Sequence, residues 1–392
     1  MKFASAVSER GALRAAVDEV LGSTSPKLTG KPPDLAVVFA TSHFEEEMAS
    51  MTADVSERTN AGALIGCTGE GVIGDDREVE RRAGLSLLMA CLPEVWTRGF
   101  FVDQEMIEAA GEDPEARSFW DHIPDQPSLI ILLGDPFSVD ILQLLDLLGE
   151  RFPGCPVVGG MASGAERPGQ SVLLLNEGTY RQGAVGLALG GDLRVATVVS
   201  QGCRPIGRPL VVTKSERNVV RELGGKPALS VLVEVLESLP PADQSLAQQA
   251  LFLGRVVNEY QERFGRGDFL VRNLLGADRG SGALVVGDYL RVGTTVQFHV
   301  RDAASAHEDL EMMLQPHAGL PPADSGALLF SCNGRGTRMW PEPNHDVSNL
   351  HTVVGAVPTA GFFCAGELGS IGGKNFIHGH TASIALFGPP AA

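Results

Sequence analysis

Two apolar runs near the C-terminus each break into a glycine-rich turn that carries reactive side chains. Gly326-Ala-Leu-Leu-Phe-Ser331 leads into Cys332-Asn-Gly-Arg-Gly336, and Gly361-Phe-Phe-Cys364 leads into Ala365-Gly-Glu-Leu-Gly-Ser-Ile-Gly-Gly373. Glycine adopts φ > 0 and admits close approach, so such turns let backbone N–H groups converge on a ligand. They also gather Cys332, Asn333, Gly334, Arg335, Cys364 and Glu367. The turn Gly66-Cys-Thr-Gly-Glu-Gly-Val-Ile-Gly74 adds Cys67 and Glu70, Gln201-Gly-Cys-Arg-Pro-Ile-Gly207 adds Arg204, and Phe269-Leu-Val-Arg-Asn273 adds Arg272 and Asn273.

Guanidinium groups grip carboxylates through two parallel hydrogen bonds, so Arg204, Arg272 and Arg335 are candidates for a carboxylate-bearing ligand. An amino acid needs the opposite partner at its other end. Glu367 or Glu70, with Asn333 or Asn273, supplies it. Thiol chemistry is the alternative, since Arg335 and Arg338 beside Cys332 favour a thiolate. Cys332 would then be the nucleophile of a hydrolase or transferase and His378 or His380 its base, two rings whose x-Gly-x spacing puts them on one face of a strand. Each candidate also has a structural explanation, buried cysteines being small core residues and arginines making surface ion pairs. Placed in an exposed turn, Arg335 is expected to be removable without unfolding the chain.

Composition narrows the function classes. At 392 residues the chain exceeds one typical core and predicts two domains or a duplicated architecture. A formal charge of −17 repels polyphosphate and argues against nucleic acid as a partner. No apolar run is long enough to span a bilayer and no signal-peptide core opens the chain, which predicts a cytoplasmic protein that is not a membrane partner. Six cysteines with no CxxC pair predict reduced thiols. No close-spaced ligand pair supports a metal, and Gly69-Glu-Gly-Val-Ile-Gly74 matches GxGxxG without opening a helix, so neither a metal nor another cofactor is expected.

Positioning these side chains requires strands that end in turns, and the chain repeats that unit. Shifted by 93 residues, Leu35-Ala-Val-Val-Phe-Ala40 falls on Ser128-Leu-Ile-Ile-Leu-Leu133, and Ile65-Gly-Cys-Thr-Gly-Glu-Gly71 falls on Val158-Gly-Gly-Met-Ala-Ser-Gly164. Helical spacing fills the interval in both. A looser third copy sets Leu328–Cys332 on the first strand and Cys364-Ala-Gly-Glu367 on Cys67-Thr-Gly-Glu70. The predicted fold is α/β, with repeated strand–helix–strand units forming mixed sheets covered by helices in two packed or interleaved domains. Their strand ends after Ala40, Ile65, Leu133, Val158, Ser331 and Phe363 should converge. Helical spacing from Ser5 to Leu21 and a proline-bearing linker occupy residues 1–33, and Gly224-Gly-Lys-Pro227 marks a boundary.

Gln201–Gly207, Phe269–Asn273, Val296-Gln-Phe-His-Val-Arg-Asp302, Phe330-Ser-Cys-Asn-Gly-Arg-Gly336 and Gly361-Phe-Phe-Cys-Ala-Gly-Glu367 together resemble the FIST family of F-box and intracellular signal transduction proteins. The resemblance implies an N-terminal FIST domain over 34–225 and a C-terminal one over 226–387. It implies a cytoplasmic sensory domain that binds a small molecule, amino acids being the ligand class, and that signals to an unknown protein in trans. A pure interaction scaffold is the remaining alternative. Where the family commonly has proline after Gly-Glu-x-Gly, this chain has Ser370.

Overall fold

The computed structural model describes residues 1–28, 30–113, 116–261, 264–265 and 267–389. The chain divides into two units: unit 1 holds Met1–Val199, Glu311–Ile377 and Thr381 onward, and unit 2 holds Ser200–Leu310 and His378–His380. Among the described residues no helix is long and apolar enough to cross a membrane.

Unit 1 is built from one pattern used three times. The first copy runs β1 (Lys2–Ser8), α1 (Leu13–Thr24), β2 (Leu35–Thr41), α2 (Met48–Thr59), β3 (Leu64–Gly69), the hairpin β4 (Gly71–Gly74) and β5 (Arg77–Glu80), then β6 (Leu85–Cys91). The second runs β7 (Val95–Val102), α3 (Gln104–Glu112), β8 (Leu129–Gly134), α4 (Ile141–Arg151), β9 (Val157–Met161), the hairpin β10 (Leu173–Leu175) and β11 (Gly178–Tyr180), then β12 (Ala184–Gly191). The third opens with β13 (Arg194–Gln201), after which unit 2 is inserted. That insertion comprises β14 (Cys203–Glu216), β15 (Val219–Leu223), β16 (Lys226–Pro227), α5 (Ala228–Ser238), α6 (Pro241–Gln249), β17 (Leu251–Val256), β18 (Phe269–Asp278), β19 (Ala283–Val286) and β20 (Thr295–Arg301). After α7 (Ala303–Leu314), whose residues up to Leu310 belong to unit 2, the third copy resumes with β21 (Gly326–Cys332), α8 (His345–Val353), β22 (Thr359–Cys364), the hairpin β23 (Glu367–Ile371) and β24 (Lys374–His378), then β25 (Thr381–Gly388).

The three six-stranded sheets share one order: β1-β6-β2-β3-β10-β11, β7-β12-β8-β9-β23-β24 and β13-β25-β21-β22-β4-β5. In each, the two strands flanking a crossover helix pair in parallel and the last strand of the copy pairs antiparallel to them. The hairpins do not return to the sheet they leave. The first copy's hairpin joins β22, the second's joins β3 and the third's joins β9, so the copies exchange hairpins in a ring. Inward side chains of all three sheets form one core, with Phe39 stacked on Phe362 at 4.9 Å and edge-on to Phe330 at 6.0 Å. Separate clusters join α1 and α2 to the outer face of the first sheet, and α3 and α4 to that of the second.

Register follows from backbone contact. Ala36, Ile130 and Ala327 donate to the carbonyls of Ala63, Pro156 and Pro358 at 2.8, 3.0 and 2.8 Å. A Cβ on Gly66, Gly159 or Gly361 would stand 1.9, 2.0 or 1.8 Å from the carbonyl oxygen of Val38, Leu132 or Leu329. These are equivalent places where the parallel neighbour leaves no room for a side chain. The repetition read from the sequence is therefore present, with two corrections. Leu35 answers to Leu129, one residue beyond the expected Ser128, and Cys364 answers to Gly69, not Cys67, because the close-approach glycines fix the count. Ser5–Ser8, expected at the start of a helix running to Leu21, instead end the strand Lys2–Ser8, which pairs along β6.

Unit 2 is antiparallel throughout its pairings. Its sheet runs β14-β20-β17-β18-β19-β15-β16, and a β14–β15 pairing closes six strands into a barrel. Leu253, Val286, Val296 and Phe298 fill the interior, and α5 contributes Ala228, Val231 and Leu232. Asp302 caps α7 as expected, its carboxylate accepting from Ala304 N–H at 3.1 Å.

Gly159→Ala tests the shared register. Gly159 lies at φ +141°, outside the range of L-residues, and its substituent would meet backbone. The expected loss is about 4 kcal/mol or more in urea unfolding; a loss under about 1 kcal/mol would mean that the contact is not obligatory.

Candidate functional site

The strand ends converge as expected within unit 1. Ser163 N–H donates to Thr68 C=O at 3.2 Å, Ala365 N–H to Met161 C=O at 3.0 Å and Asn333 N–H to Cys364 C=O at 3.0 Å. The Ser163 hydroxyl accepts from Glu70 N–H at 2.8 Å and donates to Phe363 C=O. The turns after β3, β9, β21 and β22 thus meet at one place.

Arg335 is buried at 1% exposure, not exposed as its turn suggested. It is removed from water because Asp346, on the inward face of α8, takes it in a fork: Nε and Nη2 donate to the two carboxylate oxygens at 2.7 Å each. The guanidinium lies 5.0 Å over Trp340, whose ring stacks on His345 at 3.4 Å, and His345 Nδ1 meets Asp346 Oδ1 at 2.9 Å. Ser331 donates to Asp346 at 2.7 Å. Burial alone would raise the Asp346 carboxyl, yet the Arg335 charge and its hydrogen bonds hold it well below the usual carboxylate range. From β5, the buried Glu78 caps α8 by accepting from Asp346 N–H at 2.8 Å and Val347 N–H at 3.0 Å. Burial, then the neighbouring Asp346 charge, pushes Glu78 up to about 8.

Glu367 is fully buried at the start of β23. Its Oε2 accepts from the Thr381 hydroxyl at 2.8 Å and Thr381 N–H at 3.1 Å. Burial raises its pKa to about 8 despite those bonds, the Arg335 charge and the Cys332 thiol, all of which favour the anion. Four buried side-chain atoms among the described residues of this cluster have no hydrogen-bond partner: Glu78 Oε2, Arg335 Nη1, Asn333 Oδ1 and Glu367 Oε1. Glu70, Gly71, Glu80, Arg81, Asn333, Arg338 and Phe363 line a small surface cleft. Arg338, 42% exposed, pairs with Glu70 across it and donates to Asn333 C=O at 2.8 Å.

The other two copies serve as internal controls. Each of Glu367, Val72 and Leu173 pairs with the residue that follows a close-approach glycine, so the three positions correspond. Val72 and Leu173 are buried apolar residues. Counted back from the same glycines, Asp346 stands where α2 has Met51 and α4 has Leu144, both buried. The architecture is satisfied by apolar side chains at these positions, and in one copy of three they are charged.

Of the sequence candidates, Cys332, Asn333, Gly334, Arg335, Cys364 and Glu367 come together, with Cys67 close to Cys364 and Glu70 at the cleft. Cys67 and Cys364 are fully buried thiols raised by burial. Arg204, Arg272 and Asn273 belong to unit 2. There Arg204 is held by Asp243 at 2.5 Å and Asp302 at 2.6 Å, Arg272 meets Asp288 at 3.3 Å, and Asn273 Oδ1 meets His380 Nε2 at 3.2 Å. His378 ends β24 and His380 sits in the following turn at φ 64°, so the two rings are not aligned on one strand face. Asp346, Glu78, Trp340 and Thr381 were missed. Asp346 did leave a signal, an acid in phase with Leu350 and Val354 on an apolar helix stripe.

Breaking the buried pair leaves an uncompensated charge, so Arg335→Ala should destabilise the protein by about 3–5 kcal/mol in urea unfolding, against the expectation for an exposed turn. The raised acids give a pH signature. Burial lifts Glu78 and Glu367 from the ordinary glutamate value of 4.5 to about 8, so between these limits the folded chain holds more protons than the unfolded one. Stability should therefore fall as pH rises through that window. Glu367→Gln should flatten the slope by about one proton, and an unchanged slope would show that Glu367 is ionised throughout.

The FIST N domain matches residues 34–226 and the FIST C domain residues 228–370, meeting between β16 and α5 inside the barrel unit. The chain is 38% identical over 394 residues to uncharacterized protein Rv0628c of Mycobacterium tuberculosis (strain ATCC 25618 / H37Rv), covering 99% of this chain and 100% of that protein. It is 37% identical over 379 residues to uncharacterized protein Mb0898c of Mycobacterium bovis (strain ATCC BAA-935 / AF2122/97), with 95% of each covered. FIST domains are associated with sensory roles in signal transduction. With both domains matched in sequence order across most of its length, the chain belongs to the FIST family.

Proposed function

We propose that the protein is a cytoplasmic sensory domain that binds a small carboxylate metabolite such as an amino acid and signals its occupancy to a protein partner in trans. The observation that carries this reading is the set of unpartnered buried atoms: Arg335 Nη1, Asn333 Oδ1 and Glu367 Oε1. Buried polar groups are normally paired, because an unmade hydrogen bond costs the desolvation of the group. A ligand carboxylate answers the guanidinium N–H, and an ammonium answers the two oxygens. The location in one copy of three supports a role other than folding. Entry runs past the Arg338–Glu70 pair, which is exposed enough to part at little cost. Net charge −17 sets the outer field against anions, so recognition of a carboxylate rests on the local arginine.

Thermal-shift measurements with the common amino acids and small carboxylates test this. A ligand at about 100 times its Kd adds roughly 2.7 kcal/mol and raises Tm by a few degrees. Asn333→Ala should remove that shift with little change in the unliganded Tm. An ammonium beside Glu367 favours its carboxylate form, so binding at neutral pH should release up to about one proton, read as a buffer-dependent calorimetric enthalpy. The reading fails if no carboxylate metabolite shifts Tm, or if Asn333→Ala retains the full shift.

A further inference from the structure

We propose that unit 2 carries a second binding site, a groove between β14 and α5 that takes a small monocarboxylate with an apolar body, its carboxylate on Arg208. The groove has a volume of about 350 Å³. Pockets for small molecules span about 300–1,000 Å³, so it suits a compact ligand. Leu210 of β14 and Val231 and Val235 of α5 form the apolar lining, the two valines one turn apart on the same helix face. Arg208, Glu234 and Ser238 are its exposed members. The lining is confined to one break in β14 and about two turns of α5, where a protein interface uses about 20–30 residues a side, so its size fits a small molecule and not a partner chain. No residue is shared with the cluster in unit 1, and the inference stands independently of the sensory reading.

The groove lies where β14 breaks its pairing with β20. Ile206 stands opposite Phe298 and Leu210 opposite Val296, so Gly207, Arg208 and Pro209 together face the single residue Gln297. An ordinary bulge sets two residues against one. Here glycine supplies φ +64° and proline has no N–H to leave unpaired. The buried side chain of Gln297 donates to the carbonyls of Ile206 at 3.4 Å and Gly207 at 3.1 Å, satisfying backbone that the break exposes. Ile206 and Leu210 both belong to the unit 2 core, and strand alternation would send Arg208 inward with them. The break leaves it exposed in the lining of the groove instead, as bulges beside binding sites re-aim a side chain. A Cβ on Gly207 would stand 2.9 Å from Val235 Cγ1, so the looped backbone reaches α5 there.

Charge selects the ligand. Arg204, Arg255 and Arg272 of the same unit are each held by aspartate, whereas Arg208 makes no ion pair among the described residues. It is also the only cation among the described residues of the lining. Glu234, the acid of the lining, is occupied by Lys226, whose Nζ donates to its two oxygens at 2.8 and 2.9 Å. A free guanidinium beside apolar walls matches one carboxylate on an apolar body, which it grips through two parallel hydrogen bonds. A polyanion is disfavoured, because a net charge of −17 surrounds a single receiving cation.

The probes are sodium octanoate and, as the uncharged control, 1-octanol, each titrated into the full chain by isothermal titration calorimetry. Octanoate is expected to bind saturably to a single set of sites. Arg208→Gln should weaken octanoate by about tenfold and leave 1-octanol unchanged, since it removes a charge-assisted contact and little apolar surface. Ser238→Trp should abolish binding of both by filling the groove. Both substitutions are at exposed positions, and the unliganded Tm checks that they fold. If Ser238→Trp alters that Tm, Arg208→Gln with the two probes decides the matter. Asn333→Ala should bind octanoate as the unaltered protein does, which separates the groove from the cluster in unit 1. Loss of octanoate binding in Asn333→Ala with full binding in Arg208→Gln would move the carboxylate to unit 1 and end the groove assignment. No saturable octanoate binding up to about 10 mM, or affinities indifferent to both groove substitutions, would also overturn it.

Discussion

Each sheet of unit 1 is unfinished without a hairpin from another copy. A parallel strand pair buries both faces and needs an edge partner, and here that partner arrives from the preceding or following repeat. The exchange forces the turn between strand and hairpin to pass from one sheet to the next. That is why the turns after β3, β9 and β22 meet and why Ser163 can bond to Thr68, Glu70 and Phe363. Close approach of parallel backbones at Gly66, Gly159 and Gly361 sets the register on which this meeting depends. One apolar core shared by three sheets then makes the ring of copies a single cooperative body.

Against that apolar frame, the turns and helix of the third copy stand out for their charge. Arg335, Asp346, Glu78 and Glu367 are all buried, and the sister copies place Met51 and Leu144 where Asp346 stands and Val72 and Leu173 where Glu367 stands. Burying ions is costly unless they are paired and hydrogen-bonded, and a hydrophobic replacement is often at least as stable. Arg335 and Asp346 pair through a two-point fork, and Glu78 caps the helix end, yet Arg335 Nη1, Glu78 Oε2 and Glu367 Oε1 all stay without a hydrogen-bond partner. The fold has an apolar solution at two of these positions in its other copies, so packing alone does not require the charges.

Unit 2 follows different rules. A closed antiparallel barrel has few open edges, and its insertion between β13 and α7 leaves the third copy's strand order intact. Its arginines find aspartate partners at home: Arg204 in Asp243 and Asp302, Arg255 and Arg272 in Asp288. The same residue type thus serves as internal ion pairing in one unit and as part of an incompletely satisfied cluster in the other.

The sequence by itself determined the repeated strand–helix–strand unit, the glycine turns and the family, because these rest on short-range patterns of period and turn chemistry. It also picked Cys332, Asn333, Arg335 and Glu367, which lie within or beside such turns. Burial and partnership were decided only by tertiary structure. Arg335 looked exposed because a glycine turn usually is, and Asp346, eleven residues away, removed it from water. The raised pKa of Glu367 likewise comes from desolvation in the assembled core, which no local sequence encodes. The hairpin exchange was invisible for the same reason: which sheet edge a strand completes is a property of the assembled core, not of the strand.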